Sequence, residues 1–322
     1  RIKMKRLDKH GISKFATRYG TVVFFALICA TFAILRPGSF FKISNVVTVL
    51  RQISILAILG AGLTVVMITG RIDLTIGNTT SAISVLVGAL MVDFGMNVWL
   101  ACIIGVAAGA LLGALNGATV AYIGIPDFIA TLSMGFLISG FNQAYTKGHP
   151  ISNLPKVFSI FGKGSLLGIP VSIYMMFICL VVVYLVLNKT RFGRHVYAIG
   201  GNQEAAMMSG INVKKNLLMS YVVSGMGCAL GAIILSSRLQ TCHPSAGDAY
   251  MMDALATVYV GATAFKNGEP NIMGTFIGAL IIGVLNNGLT LCNVSYYSQD
   301  IAKGAVILLA VTITSIQRSR KK

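Results

Sequence analysis

From Thr21 to Leu35 the chain reads TVVFFALICATFAIL, and runs of this kind recur along almost its whole length, parted by short charged or glycine-rich breaks. This rhythm limits the fold more than any single motif does. A run of about 20 apolar residues is long enough to cross the hydrocarbon core of a bilayer as a helix. The breaks give ten expected spans: 20–35, 46–69, 75–92, 98–122, 127–145, 170–188, 213–237, 250–265, 271–290 and 299–316. The expectation is an all-α, polytopic membrane protein of about ten transmembrane helices, forming one transmembrane domain over 1–322. The ladder is weakest around 70–77 and 250–265. Composition agrees, with 55% hydrophobic and only 11% charged residues, against about 25% charged in soluble domains. The start reads as a first span and not as a cleaved leader, because the basic region is long and no A-x-A site follows.

The formal net charge of +17 is tested first for sidedness. With ten spans both ends fall on one side, and eighteen of the 26 Lys and Arg residues fall there too. Arg191, Arg194, Lys214 and Lys215 are among them. The positive-inside rule then places the basic segment 1–19, both termini and the 189–212 loop in the cytoplasm. The longest external loop is 146–170, a contact surface for something outside. Topology accounts for the charge, so no nucleic-acid partner is expected.

The six cysteines show no C-x-x-C spacing, and four sit in apolar runs as small hydrophobes. Cys242 and Cys292 fall in loops on the same expected side, where a disulfide between them is conceivable. The four histidines are scattered, and no HExxH, GxSxG or G-x-x-x-x-G-K-[ST] occurs. Neither metal nor cofactor is expected on this chain, and an enzyme is the most distant of the readings.

Gly105, Gly109, Gly113 and Gly117 recur every four residues, which on a helix makes a smooth stripe for a neighbouring backbone. Gly227 with Gly231, and Gly274 with Gly278, repeat the spacing. The segment GALLGALNG (109–117) resembles GALIIGVLNNG (278–288), a hint of two duplicated halves.

Polar residues inside spans are few. Asp73 lies in TGRIDLTIGN (69–78), where Gly70 and Gly77 loosen the helix. A carboxylate at mid-span costs about 3 kcal/mol, so Asp73 is either a pathway or hinge residue or a cap on the next helix. Asp253 and Asp248 open a later span, where the helix dipole favours them, and Asp253 joins Asp73, Asn116, Asn286 and Asn287 as a candidate pathway or hinge residue. Asn116, Asn286 and Asn287 are embedded amides, suited to sugar hydroxyls or to interhelical bonds. An ion- or proton-coupled secondary transporter using Asp73 is the alternative reading of these residues.

IDLTIG (72–77), FIATL (128–132), TRFGRHVYAIGGN (190–202), AAMMSGINV (205–213), MDALATVYVGAT (252–263) and GTFIGALIIGVLNNGL (274–289) together resemble the membrane permease subunits of ATP-binding cassette importers for monosaccharides, the ribose type. The resemblance covers roughly 45 to 312. It implies a bacterial inner-membrane importer working by alternating access. Two permease chains, expected to be a homodimer, would form its membrane unit. A separate ATPase, which carries ATP and Mg, would dock in the cytoplasm, and a periplasmic sugar-binding protein would deliver substrate. Two departures stand out. Arg71 precedes Ile72-Asp73 where the family has Gly, and Met207-Met208 follow the paired alanines where Arg-Leu is common.

The resemblance also assigns GGNQEAAMMSGI (200–211) to the ATPase-coupling segment. Its chemistry reads as a helix of about two turns. Asn202 is a suitable N-cap, and Glu204 falls in the first turn, where the dipole favours it. Ala205, Ala206, Met207 and Met208 favour helix. Gly210 suits the left-handed position that ends it.

Overall fold

The computed structural model describes residues 23–263 and 268–319. The basic segment 1–19 and Lys266 lie outside them. Twelve α-helices run through the described residues: α1 (Val23–Leu35), α2 (Ile43–Ile68), α3 (Ile76–Val92), α4 (Val98–Ala118), α5 (Asp127–Thr146), α6 (Val171–Lys189), α7 (Arg191–Gly201), α8 (Gln203–Met208), α9 (Val213–Leu239), α10 (Asp248–Thr263), α11 (Ile272–Leu291) and α12 (Tyr296–Ser319). All but α7 and α8 coincide with the expected spans. Those two fill the 189–212 segment that was read as a loop holding one short helix. Among the described residues five helices are long and apolar enough to cross a membrane: α2, α4 with its π-turn extension to Ile123, α6, α9 and α11. α1 and α3 are shorter apolar helices.

The core is α2 against α9. Every residue of α2 from Ile53 to Ile68 is buried, as expected of a helix that is apolar on all sides. The two helices run antiparallel and closely, with Gly62 on the backbone of Val223 and Ser224 and Gly227 on that of Ile58. The glycine stripe of α4 does what its spacing predicts. Gly109, Gly113 and Gly117 abut the α9 backbone at Gly225, Tyr221 and Leu218, while Gly105 faces Val87 of α3. Between apolar helices in lipid, contact of this kind replaces the missing hydrophobic drive. On the other flank Gly274 and Gly278 of α11 meet Gly261 and Thr257 of α10.

Two breaks shape the bundle. After α2, Gly70 turns the chain with φ +80°, and residues 71–75 return along the bundle before α3 begins. After α9, Gln240 takes φ +58°, and 241–247 return in the same manner before α10. The starts of α3 and α10 meet inside the protein: Gly77 lies on the backbone of Gly247 and Asp248. Ser81 Oγ donates to Asp248 at 3.2 Å and accepts from Gly247 N–H at 2.9 Å. Gly77 is therefore helical and a site of close approach, where the sequence suggested a loosened helix. The meeting point also explains why the ladder is weakest at 70–77 and 250–265. A returning segment of chain lies in or just before each place, and a helix starts there inside the bundle.

The 146–170 segment is not a free loop. It carries a 3₁₀ turn (Lys156–Ile160) and a two-residue hairpin, Ser165–Leu166 against Ile169–Pro170. It is tied to the end of α9 by the Ile151–Cys242 bridge and by Ser237 Oγ donating to the Phe158 carbonyl. All six cysteines are free thiols, and Cys242 is buried beneath this bridge. The conceived disulfide to Cys292 is not formed.

Candidate functional site

The face of the bundle that carries α7 and α8 is built by local rules. Thr190 Oγ1 accepts from Gly193 N–H at 3.3 Å, capping α7. Gly193, Val196 and Ile199 point inward at a spacing of three, while Arg191 and Arg194 are exposed. Gly200 lies against the Ile68 carbonyl, so α7 is seated on the end of α2. The Tyr197 hydroxyl is pushed up by burial, then by the Glu269 carboxylate. It stays protonated at the joint between α7 and the segment before α11.

α8 starts as expected, with Asn202 Oδ1 accepting from Ala205 N–H at 3.0 Å and Glu204 in the first turn. It ends as expected, with Gly210 at φ +77° and Ile211 N–H donating to the Ala206 carbonyl at 3.1 Å. Its six residues make the expected helix of about two turns, and Gly200 and Gly201 before it belong to α7. Within the coupling segment Ala206 does not face outward: it is buried with Ala121, Ile199, Val213 and Leu217. Ala205 is exposed, and Met207 and Met208 are 63% and 88% exposed, so the methionines form the outer face.

Arg71 joins this layer to the interior. Its guanidinium donates to Gln203 Oε1 at 3.1 Å and stands 3.6 Å from Asp127 Oδ1. Asp127 Oδ2 also accepts from Ile72 N–H at 2.7 Å. Two residues on, Asp73 is 2% exposed. Its oxygens accept from Thr75 N–H at 3.0 Å, Thr75 Oγ1 at 2.6 Å and Ser224 Oγ at 2.8 Å. Asn116 Nδ2 donates to Thr75 Oγ1 at 2.7 Å, and the Tyr221 hydroxyl to the Ile72 carbonyl at 2.9 Å. Asp73 and Asn116 thus come together in one enclosed network at the break between α2 and α3.

The remaining polar candidates gather elsewhere. Asn287 exchanges two 3.0 Å bonds with Asn45 at the start of α2, an interhelical pair. Asp253 Oδ1 lies 3.3 Å from Lys303 Nζ of α12, and Asp253 Oδ2 accepts from Asn286 Nδ2 at 3.1 Å. Lys303 also reaches Asp300 at 3.7 Å. The dipole reading of Asp253 is superseded by this ion pair. Beside the pair is a cavity of 280 Å³ between α2, α9, α10, α11 and α12, lined also by Gln52, Arg238 and Gln299. Arg238 and Lys303 enter the sequence reading only as cations and Gln52 not at all, because nothing local signals a partner on another helix. Among the described residues no group of three His, Cys, Asp or Glu side chains is arranged to hold a metal.

Comparison with known proteins gives a consistent picture. The family model described as "Branched-chain amino acid transport system / permease component" matches residues 45–311. A ribose import permease of Haemophilus influenzae is 38% identical, over 96% of this chain and 97% of its own. A ribose import permease of Bacillus subtilis is 40% identical, over 96% and 95%. A D-allose transport system permease of Escherichia coli is 32% identical, over 97% of both.

Proposed function

Because the chain belongs to the family of permease components of the branched-chain amino acid transport system type, we propose that it is the membrane-spanning subunit of an ATP-driven importer whose cargo is a monosaccharide. The observation that carries this reading is likeness over nearly the full length to permeases named for ribose import. A periplasmic binding protein delivers the sugar. A separate ATPase, which holds ATP and Mg, drives it, and two copies of this chain form the pore in a bacterial inner membrane. α7 and α8 are the cytoplasmic coupling layer, on the same side as both termini, and 146–170 faces the delivering protein. The exposed tip of that segment, with Leu167 92% exposed, supports this assignment. So does the cation count.

The geometry gives the coupling a route. A partner's groove can take Met207 and Met208, because methionine adapts to irregular surfaces. Displacement of α8 is handed on by its own Gln203 to Arg71, and that of the adjoining α7 by Gly200 to the end of α2. α2 in turn carries Gln52 into the polar cavity. Ten passes are our count, with α3 and α10 as the two that start inside the bundle. We take α2–α5 and α9–α12 as two inverted halves. The helices occur in the same order, each set has a return segment after its first helix, and GALLGALNG and GALIIGVLNNG fall on α4 and α11. Inverted halves that meet at broken helices are a common architecture for alternating access.

Reconstitution tests the reading. Liposomes holding the chain with its co-purifying ATPase and binding protein should take up D-ribose only with ATP. Uptake by the chain alone would overturn it. Met208→Glu should lower uptake about tenfold or more by removing the apolar contact while leaving insertion and folding intact.

A further inference from the structure

The cavity beside Asp253 contains more hydrogen-bonding capacity than the protein uses. Gln52 Oε1, Arg238 Nη1 and Asn286 Oδ1 are buried, and none has a partner within the protein. Buried polar atoms are nearly always paired, and inside a membrane protein each open one is costly. These three belong to side chains that line one cavity of 280 Å³, and a turn of each side chain about its terminal torsion would bring its polar group to that cavity. Their placement is also specific. Gln52 lies nine residues into α2, about 13 Å along it at 1.5 Å per residue. Arg238 is at the end of α9, next to the 146–170 segment. Thr290, exposed at the end of α11, and Gln299 of α12 stand at the mouth. The cavity therefore opens toward the face opposite α7 and α8.

From this we infer that the cavity lined by Gln52, Arg238, Asp253, Asn286 and Lys303 is a binding site within one subunit for a neutral, polyhydroxylated molecule of monosaccharide class. The inference rests on the sugar-importer reading and assigns that cargo a site. Chemistry selects the class. Two of the open atoms are acceptors and one is a donor, and a hydroxyl is both at once, so adjacent hydroxyls can serve all three. A simple anion satisfies only Arg238. A zwitterionic amino acid brings an ammonium that needs a carboxylate, and the one lining the cavity, Asp253, already holds Lys303 and Asn286. Charge agrees: Arg238 and Lys303 are offset by Asp253 and, at the rim, Asp300. The balance favours a neutral ligand.

The test uses the whole importer in proteoliposomes, with D-ribose, D-allose, D-galactose and L-leucine as probes. Gln52→Leu and Asn286→Leu should each cut sugar uptake about tenfold, the expected effect of losing a buried ligand hydrogen bond. Copurification with the ATPase and binding-protein-stimulated ATP hydrolysis should stay within about twofold, so the variants hydrolyse ATP without transport. Should either leucine variant fail to assemble, Gln52→Glu and Asn286→Asp decide the matter. They keep the shape, replace the amide donors with acceptors and should change the ratio of D-ribose to D-allose uptake at least about threefold. Unchanged uptake in assembled leucine variants, or an unchanged ratio in the acidic ones, overturns the site. Leucine uptake that responds to these variants while sugar uptake does not overturns the ligand class. Failure of the unaltered importer to move any sugar with ATP instead overturns the sugar-importer reading itself.

Discussion

Asp73 lies just before α3 and Asp253 in the second turn of α10, each near the start of a helix that begins inside the bundle. Their surroundings differ. Asp73 is held by a backbone N–H and two hydroxyls, with Asn116 closing the ring through Thr75. One acceptor there, Asn116 Oδ1, stays open. Asp253 is held by a lysine shared with a second carboxylate and by an amide whose oxygen is unpaired, and it faces a cavity. A buried carboxylate is tolerated when it is hydrogen-bonded or paired. Saturated from within, it fixes a joint; left partly open, it makes a site. The first set, around Asp73, thus holds the bend between α2 and α3 in shape, and the second, around Asp253, offers polar groups to a guest.

The most forceful way to break this contrast is to remove each carboxylate. Asp73→Ala strips the acceptor from Thr75 N–H and from two hydroxyls. At about 1–3 kcal/mol for each buried group left unpaired, less where a hydroxyl can turn to its own helix, the loss is about 2–4 kcal/mol. It should appear as a lowered melting temperature and poor yield in detergent. Asp73→Asn keeps one acceptor oxygen for Thr75 N–H and should be milder, with uptake still driven by ATP and indifferent to a proton gradient. A gradient-driven flux lost in Asp73→Asn would restore Asp73 as an ion relay.

Asp253→Asn should do the reverse. Lys303 retains Asp300 at 3.7 Å, and the amide retains the shape, so melting should shift less than for Asp73→Ala. Uptake of D-ribose should fall about tenfold, because the amide can no longer hold both Lys303 and Asn286 in place. Equal melting losses in Asp73→Ala and Asp253→Asn, with equal residual uptake, would erase the distinction between the two sets.

The bundle itself was legible because apolar runs and glycine spacing are local signals. Each apolar run overlaps a helix of the described residues, five of them long and apolar enough to cross a membrane, and Gly109, Gly113 and Gly117 meet α9 as the four-residue period requires. The caps of α8 were legible for the same reason, since Asn202 and Gly210 act within a few residues of themselves. The cavity was only half legible. Asp253 and Asn286 stood out as polar residues in spans, but Gln52, Arg238 and Lys303 reach it from three other helices. A helix that is largely apolar all round has no periodicity to reveal which way a given polar residue points. The inward turn of Ala206 was equally hidden, although Gly193, Val196 and Ile199 already mark at period three the buried face of α7, which packs beside it.

Arg71 offers the smallest effect and the sharpest reading of how the proposed coupling layer, α7 and α8, reaches the first set. It ties Gln203 of α8 to Asp127 at the start of α5. Its side chain is 32% exposed and that of Asp127 20%. Solvent screening therefore limits the pair to about 1 kcal/mol or less. Arg71→Gly should leave the melting temperature nearly unchanged, because Asp127 keeps the backbone N–H of Ile72. The effect belongs to coupling: sugar moved per ATP hydrolysed should fall about two- to fivefold, as the tie carries less of the displacement of α8 to residues 71–75. Gln203→Ala should produce a loss of the same size, and the double variant no more than either alone, since one strut is removed in every case. Additive losses would mean that Arg71 acts through Asp127 and not through α8, leaving Gly200 on Ile68 as the remaining link between α7–α8 and α2.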